Sequence, residues 1–228
     1  MRRLLSIFAI LITALLATGC ARLPLMPLSD DNAKVDASKP LYLMSVTIKN
    51  EYKKRWQPKV LTLTIAKENG AAKPEVFSFR MDSKGTIESD ADDGSTTYLV
   101  RFVAESGPHT IWGMNAMASA FPIHGFYYVP LHSPVPAATA GVYYLGSVKA
   151  VIRERQGNEF RAGPAIPLID QAFAGASTGT FDIKITDAYS SDTKLFKKTF
   201  SSLAAVDIKK AILQPWDRAK AQLVWDNN

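Results

Sequence analysis

The chain has 228 residues, of which 47% are hydrophobic and 21% are charged, a balance typical of a folded globular protein rather than a disordered one. Its net charge is +6, scattered along the chain except for a basic run at residues 53–55 that we interpret as a solvated loop. A nucleic-acid-binding protein would show a basic stripe and a recognition motif, and neither is present. Cys20 is the single cysteine, so the fold has no intrachain disulfide and depends on burial.

The first twenty residues predict a secretory signal peptide. Arg2 and Arg3 precede an apolar segment at residues 4–18, and small residues follow directly before Cys20. A segment of about fifteen residues is shorter than the roughly twenty that a membrane-spanning helix needs. The pattern therefore predicts a signal peptide over residues 1–19 that is removed from the mature protein.

Residues 16–20, with the sequence Leu-Ala-Thr-Gly-Cys, resemble the lipobox of bacterial lipoproteins, although Ala17 stands where leucine is commoner. The resemblance implies that a diacylglycerol, carrying chains such as palmitate, is attached to the thiol of Cys20, which then becomes the first residue. Two or more acyl chains give stable anchoring, whereas one is marginal. Ala21 follows the cysteine in place of the aspartate that favours retention at the inner membrane. The resemblance thus implies the periplasmic face of a Gram-negative outer membrane.

Residues 20–40 are predicted to be a lipidated cysteine followed by a flexible tether, because Pro24, Pro27 and Pro40 interrupt a segment without sustained periodicity. A flexible coil of about twenty residues has an end-to-end distance of roughly 25 Å. Residues 41–228 are predicted to form a single β-sandwich domain.

Short apolar runs rich in β-branched and aromatic residues begin at Leu41 and are separated by Gly, Pro, Asp and Asn, which is typical of strands and turns. Alternation indicates half-buried strands: Leu61, Leu63 and Ile65 would share one face, and so would Phe181, Ile183 and Ile185. Asn69-Gly70 predicts a tight antiparallel hairpin between the second and third strands. The predicted strands are 41–49, 59–67, 74–81, 97–104, 109–114, 125–131, 142–153, 179–187 and 193–200.

Helical signals are few and lie toward the C-terminus. Residues 168–174 and 201–213 are predicted helices, the second ending before Pro215. The tail at residues 219–225 fits a short helix or an edge strand. Many short strands with one or two short helices predict a mainly β fold, an antiparallel β-sandwich.

The sequence offers two catalytic alternatives. Residues 175–179 fit the Gly-x-Ser-x-Gly elbow of serine hydrolases around Ser177, but that elbow follows a strand and opens a helix, whereas here a predicted strand follows. The three histidines, His109, His124 and His132, are too widely spaced for a local zinc motif, so only folding could bring them together. Asp170 is interpreted as a buried carboxylate that binds loop amides. We therefore expect a non-enzymatic protein without cofactor or metal, and keep an envelope hydrolase that uses Ser177 or a histidine-bound metal as the alternative.

Aromatic residues crowd into the region around residues 112–144. Adjacent aromatics on a strand project to opposite faces, so Trp112, Tyr128 and Tyr144 are possible ligand-binding residues of an exposed surface that stacks against sugar rings. In the alternative interpretation, the second sheet and the loop at residues 160–180 cover both faces.

Residues 107–111, 125–131 and 141–146, which include Gly-Pro-His, Gly-Phe-Tyr-Tyr and Tyr-Tyr-Leu-Gly, resemble a pattern in uncharacterised bacterial envelope lipoproteins. The resemblance implies a small antiparallel sandwich similar to immunoglobulin-like or carboxypeptidase-regulatory domains, without an assigned activity. The expected function is a lipid-anchored binding or assembly module. Its expected partners are the membrane, through the acyl chains on Cys20, and another envelope protein or a glycan such as peptidoglycan.

Overall fold

The computed structural model describes residues 23–70, 73–88, 95–104, 107–120, 123–165 and 172–227. These residues form two β-sheets and two short helices near the C-terminus, so the predicted mainly β sandwich with short C-terminal helices is confirmed. The elements in chain order are β1 (Pro40–Asn50), β2 (Lys59–Lys67), β3 (Glu75–Arg80), β4 (Thr86–Glu88), β5 (Thr96–Val103), β6 (His109–Ala120), β7 (Ile123–Pro134), β8 (Gly141–Glu154), β9 (Gly179–Thr186), α1 (Tyr189–Thr199), a 3₁₀ turn (Ser201–Leu203), β10 (Ile208–Lys210) and α2 (Arg218–Asp226).

The four-stranded sheet has the order β3-β2-β6-β7, and its neighbouring strands are antiparallel. The predicted antiparallel pairing of β2 and β3 is present, but its ladder ends at Lys67 and Glu75, so the connection is longer than the tight turn expected, and Gly70 within it has a φ of 73°. Glycine adopts this left-handed conformation without the steric cost that a side chain would add. The Asn-Gly pair therefore indicated the pairing of these two strands correctly.

The six-stranded sheet has the order β4-β5-β1-β8, with β9 and β10 both paired to the far edge of β8. β1 and β8 are parallel, and so are β8 and β10, which differs from the fully antiparallel pairing expected from the sequence. A parallel pair needs a crossover connection of a dozen or more residues. Residues 51–140 provide it, because they include the whole four-stranded sheet before the chain returns beside β1.

The sequence prediction of helices was wrong in two places. Residues 193–200, predicted as a strand, belong mainly to α1, whose buried Asp192, Thr193 and Phe196 have helical spacing, with Phe200 buried one turn later. Residues 201–213, predicted as a helix, contain the 3₁₀ turn and β10 instead. The tail forms α2, the helical one of its two interpretations. Residues 172–178 are turns, and the rest of the helix predicted at 168–174 lies outside the described residues.

Leu61 does not share the buried face of Leu63 and Ile65, because the β2–β6 register shifts between Val60 and Thr62. Such a β-bulge adds one residue to a strand and changes which side chains face the core. Val60 is consequently buried and Leu61 is exposed.

Residues 24–35, which we call the strap, pack against the body and are not the free tether predicted from the sequence. Leu25 forms a parallel bridge with Arg80, the last residue of β3. The Arg80 amide donates to the Pro24 carbonyl at 2.8 Å, and the Met26 amide donates to the Arg80 carbonyl at 3.2 Å. Met26 and Leu28 are buried. Burial of these two apolar side chains opposes the loss of chain entropy that would otherwise favour a flexible segment.

A buried arginine fixes the strap to the six-stranded sheet. The side chain of Arg101 on β5 is only 1% exposed and forms an ion pair with Asp82. It also donates to the Pro27 carbonyl at 2.7 Å and to the Leu99 carbonyl at 2.6 Å, while its guanidinium lies 4.2 Å from the Phe200 ring centroid. One charged group thus connects the strap, β5 and the residue that follows α1.

The predicted signal peptide and Cys20 lie outside the described residues. None of the described helices is long and apolar enough to span a membrane.

Candidate functional site

An aromatic groove lies on the outer face of the four-stranded sheet, between the β6–β7 pair and α2. We define it by Trp112, Tyr128, His132, Val224 and Trp225. The first four enclose a depression of about 430 Å³, and a smaller depression of about 90 Å³ beside it is lined by Trp225 as well.

A β-bulge turns two of these side chains toward the groove. The β6–β7 register shifts between Ile111 and Gly113, and on the opposite strand His132 has a φ of 45°. Histidine in this left-handed region carries a local strain of about 1 kcal/mol. The Lys220 ammonium of α2 donates to the His132 carbonyl at 2.7 Å and holds this conformation. Because bulges redirect side chains, Trp112 lies outward while Ile111 remains in the core.

Gly113 makes room for the Tyr128 ring. A Cβ at position 113 would lie 2.8 Å from the Tyr128 Cζ and 2.9 Å from its hydroxyl oxygen. The ring therefore lies directly against the β6 backbone, which only glycine permits. The Tyr128 amide donates to the Ala162 carbonyl at 2.8 Å, so the segment around Ala162 lies along the free edge of β7 and is joined to it beside the groove.

α2 forms the other wall and has a well-defined start. Asp217 caps the helix by accepting from the Ala219 amide at 2.8 Å and the Lys220 amide at 3.1 Å. Ala221, Val224 and Trp225 follow at i, i+3 and i+4 spacing and lie on one face of the helix. All three line the smaller depression.

A charged network fixes α2 to the six-stranded sheet. Glu159 accepts from Arg153 at 2.5 Å and from Arg218 at 3.1 Å, and Arg218 also donates to Asp182 at 2.5 Å. The hydrogen bonds from Arg153, followed by the one from the Gln156 amide and then by the charges of Arg153 and Arg218, lower the pKa of Glu159 to about 2. This ionised carboxylate holds the chain next to Phe160, which contributes to the floor of the smaller depression.

The polar groups of the groove are uncharged at neutral pH. Burial raises the pKa of Tyr128 to about 12. Burial, and secondarily the charge of Lys220, lowers the pKa of His132 below its ordinary value. A neutral imidazole both donates and accepts a hydrogen bond, and so does a phenol. The groove therefore combines aromatic faces with neutral hydrogen-bonding groups.

Two of the three residues predicted to bind a ligand lie together here, and the third does not. Trp112 and Tyr128 are half-buried neighbours across the depression. Tyr144 is fully buried on the outer side of the other sheet, where its hydroxyl donates to Asp192 at 2.6 Å beside Ser45. The interpretation of Tyr144 as part of an exposed stacking surface is wrong, because α1 covers the face of β8 to which it projects.

Sequence reasoning missed His132, Val224 and Trp225 as groove residues. The spacing of Ala221, Val224 and Trp225 would have indicated one helix face if the tail had been interpreted as a helix. The orientation of His132 depends on the bulge, for which the sequence gives no comparable signal.

The catalytic alternatives find little support in the geometry. Ser177 lies in the turns at residues 172–178 that precede β9, so the local order is the inverse of a hydrolase elbow. His109 Nδ1 lies 2.9 Å from the Gly107 carbonyl oxygen, and His124 Nδ1 lies 2.9 Å from the Ser119 hydroxyl. Within the described segments, no group of three or more His, Cys, Asp or Glu residues is arranged to hold a metal. Asp170 lies outside these segments.

Two other cavities flank His109 at one end of the sandwich, with volumes of about 320 Å³ and about 690 Å³. In the larger one the Tyr42 hydroxyl donates to the Pro136 carbonyl at 2.8 Å, and His109 contacts Gly107 as described above. The Tyr42 hydroxyl and the His109 imidazole of the larger cavity are thus engaged with its wall, and the smaller cavity is lined by the charged residues Lys39, Lys67 and Glu75. The aromatic groove has the more favourable arrangement for a ligand. No protein-family model, curated protein or solved structure matches this chain significantly.

Proposed function

We propose that this protein is a non-enzymatic, lipid-anchored binding module on the periplasmic face of the outer membrane, and that its aromatic groove binds carbohydrate. Two features support the proposal. The lipobox-like sequence that ends at Cys20 supports the anchor, and the groove supplies a binding surface of suitable chemistry.

The observation that carries the carbohydrate assignment is the pairing of Trp112 and Tyr128 around a depression whose hydrogen-bonding groups are neutral. One face of a sugar ring presents C–H groups that pack against an aromatic face, whereas its hydroxyls need donors and acceptors. A charged ligand would instead require charged partners. Peptidoglycan is the carbohydrate polymer that a periplasmic anchored protein encounters, and we take it as the first ligand to test.

Binding to isolated sacculi tests the groove. The purified protein without its signal peptide and acyl chains should co-sediment with sacculi. Trp112→Ala should reduce the bound fraction at least about tenfold, as expected for an aromatic residue at the centre of an interface. Phe173→Ala is the matched control, because Phe173 is exposed and does not line the groove. Equal retention of both variants would contradict the assignment.

Metabolic labelling with an alkyne fatty acid tests the anchor. The wild-type protein should take up the label and fractionate with the outer membrane, and Cys20→Ala should do neither. Incorporation into Cys20→Ala would show that Cys20 is not the acylated residue.

A fluorophosphonate probe tests the non-enzymatic assignment. We expect no covalent labelling of the purified body. Labelling that is lost in Ser177→Ala would contradict the proposal and favour the hydrolase alternative.

A further inference from the structure

The packed strap holds the body close to the proposed anchor. Leu23 is the first described residue, and three Cα-to-Cα steps separate it from Cys20. Since each step spans at most about 3.6 Å, the acylated residue lies within about 11 Å of Leu23. The body therefore cannot move 25 Å from the lipid, as a free tether would allow, and one particular part of its surface is held near the bilayer.

The surface next to Leu23 is apolar. Leu23, Leu25, Leu61 and Val76 have exposed fractions of 46%, 43%, 40% and 48%, and we call these four residues the edge patch. The strand register places Leu25, Arg80 and Thr62 in one row. Leu61 precedes Thr62 at the β2 bulge, where the Met81 amide donates to its carbonyl at 2.9 Å, and its side chain is exposed there.

The members of the edge patch project to the same side of the sheet. Paired residues in neighbouring strands point to one face, and alternate residues in a strand share a face. Leu25 therefore projects with Arg80 to the outer face, whereas its neighbour Met26 is buried. Val76 lies four residues before Arg80 on β3 and also projects outward. Arg80 is exposed and adds a cation that suits anionic headgroups.

The groove lies at the opposite edge of the same sheet. In the order β3-β2-β6-β7, the strap and β3 form one edge, while Tyr128 and His132 are on β7 at the opposite edge. Contact with lipid through the β3 edge thus leaves the groove accessible to a ligand in the periplasm.

We infer that the edge patch rests on the lipid surface and fixes how the anchored body is oriented. This inference depends on the proposed acylation of Cys20. The continuity of the strap with the anchor identifies the occupant: the patch begins three residues after the lipidated position, whereas a partner protein would have no such reason to meet it there.

Site-specific fluorescence quenching tests the orientation in the acylated full-length mature protein. Because the thioether blocks Cys20, Val76→Cys introduces the only free thiol, which takes a nitrobenzoxadiazole label. Lys184→Cys on β9 is the matched control, since Lys184 is exposed on the other sheet. In phosphatidylcholine–phosphatidylglycerol vesicles with brominated acyl chains, we expect at least twofold quenching at position 76 and almost none at position 184.

Flotation and mass spectrometry of the same samples separate the two proposals. A protein that floats with the vesicles and carries the thioether, but is quenched equally at positions 76 and 184, would overturn the orientation while leaving the anchor intact. A protein without the thioether would overturn both. Leu61→Cys provides a second labelling site in case Val76→Cys lacks a cooperative thermal transition, and quenching there should follow position 76.

Discussion

The outer faces of the two sheets are covered to different extents. On the six-stranded sheet, α1 and the 3₁₀ turn cover an apolar surface and form a second hydrophobic cluster with it. On the four-stranded sheet, α2 packs at one corner, and the groove and the edge patch remain open beside it. The more exposed sheet therefore carries both proposed interaction surfaces.

Side-chain chemistry explains this difference. Leu41, Leu43 and Val142 project outward from the six-stranded sheet and would expose an aggregation-prone surface without a cover. The middle of the four-stranded sheet instead has polar cross-strand contacts, such as the 3.1 Å hydrogen bond from Asn115 to Thr62. The outer face of the six-stranded sheet must therefore be buried for stability, whereas the outer face of the four-stranded sheet tolerates solvent and can carry binding surfaces.

The largest expected effect comes from removing the cover of the six-stranded sheet. Phe196 on α1 is fully buried, and Phe196→Ala should lower the free energy of unfolding by about 4 kcal/mol, as for other large core truncations. Trp225→Ala on α2 should cost about 1 kcal/mol, because Trp225 is 40% exposed. Urea denaturation followed by circular dichroism compares them. Equal losses of unfolding free energy in the two variants would contradict this difference between α1 and α2.

Disruption of the buried ion pair should have a slightly smaller effect. Arg101→Ala leaves the Asp82 carboxylate without its partner and frees the Pro27 carbonyl, so we expect a loss of about 3 kcal/mol. Trypsin should then cleave the strap at Lys34 faster than in the wild type. Lys59→Ala removes an exposed pair with Glu88 and serves as the control. A strap that stays equally resistant in Arg101→Ala would contradict its attachment through this side chain.

The two tyrosines separate a structural role from a binding role. Tyr144→Phe removes a buried hydrogen bond to the Asp192 carboxylate and should destabilise the fold by about 2 kcal/mol. Tyr128→Phe should leave stability nearly unchanged, because among the described residues its hydroxyl has no hydrogen-bond partner, but it should weaken binding to sacculi. Thermal unfolding and co-sedimentation measure the two effects. A loss of stability in Tyr128→Phe together with a loss of binding in Tyr144→Phe would contradict this assignment of the two residues.

Acid should weaken the attachment of α2. The pKa of Glu159 in the folded protein, about 2, lies below its ordinary value of 4.5, so its stabilisation is complete above pH 4.5 and is lost as the pH falls toward 2. The network is partly open to solvent and screened, and we expect about 1 kcal/mol. The stability difference between wild type and Glu159→Gln should shrink between pH 5 and pH 2. A constant difference would contradict this linkage.

Local patterns in the sequence predicted most strands but not the irregularities that shape the site. Alternation at Phe181 and Ile183 correctly indicated a half-buried strand, because the β9 ladder is regular. It failed at Leu61, where a bulge inserts a residue into β2 and leaves that side chain exposed. This bulge depends on how β2 pairs there with residues of β6 that lie more than fifty positions further along the chain.

Long-range packing explains the remaining differences. The prolines of the strap suggest a linker, yet Met26 and Leu28 pack into hydrophobic clusters that include residues more than fifty positions away. Tyr143 and Tyr144 look equivalent in the sequence, and only the position of α1 decides that Tyr144 is the enclosed one. The aromatic cluster could be predicted, but its division between core and groove could not.

The central strand β1 has a consequence for how the chain matures. It pairs with β5 on one side and with β8 on the other. β8 also pairs with β9 and β10, which lie near the C-terminus. Such non-local pairing slows folding because long loops must close before contacts form. In a chain that emerges N-terminus first, β1, β4 and β5 are thus available before β8, β9 and β10, and the larger sheet is completed only when the C-terminal strands follow.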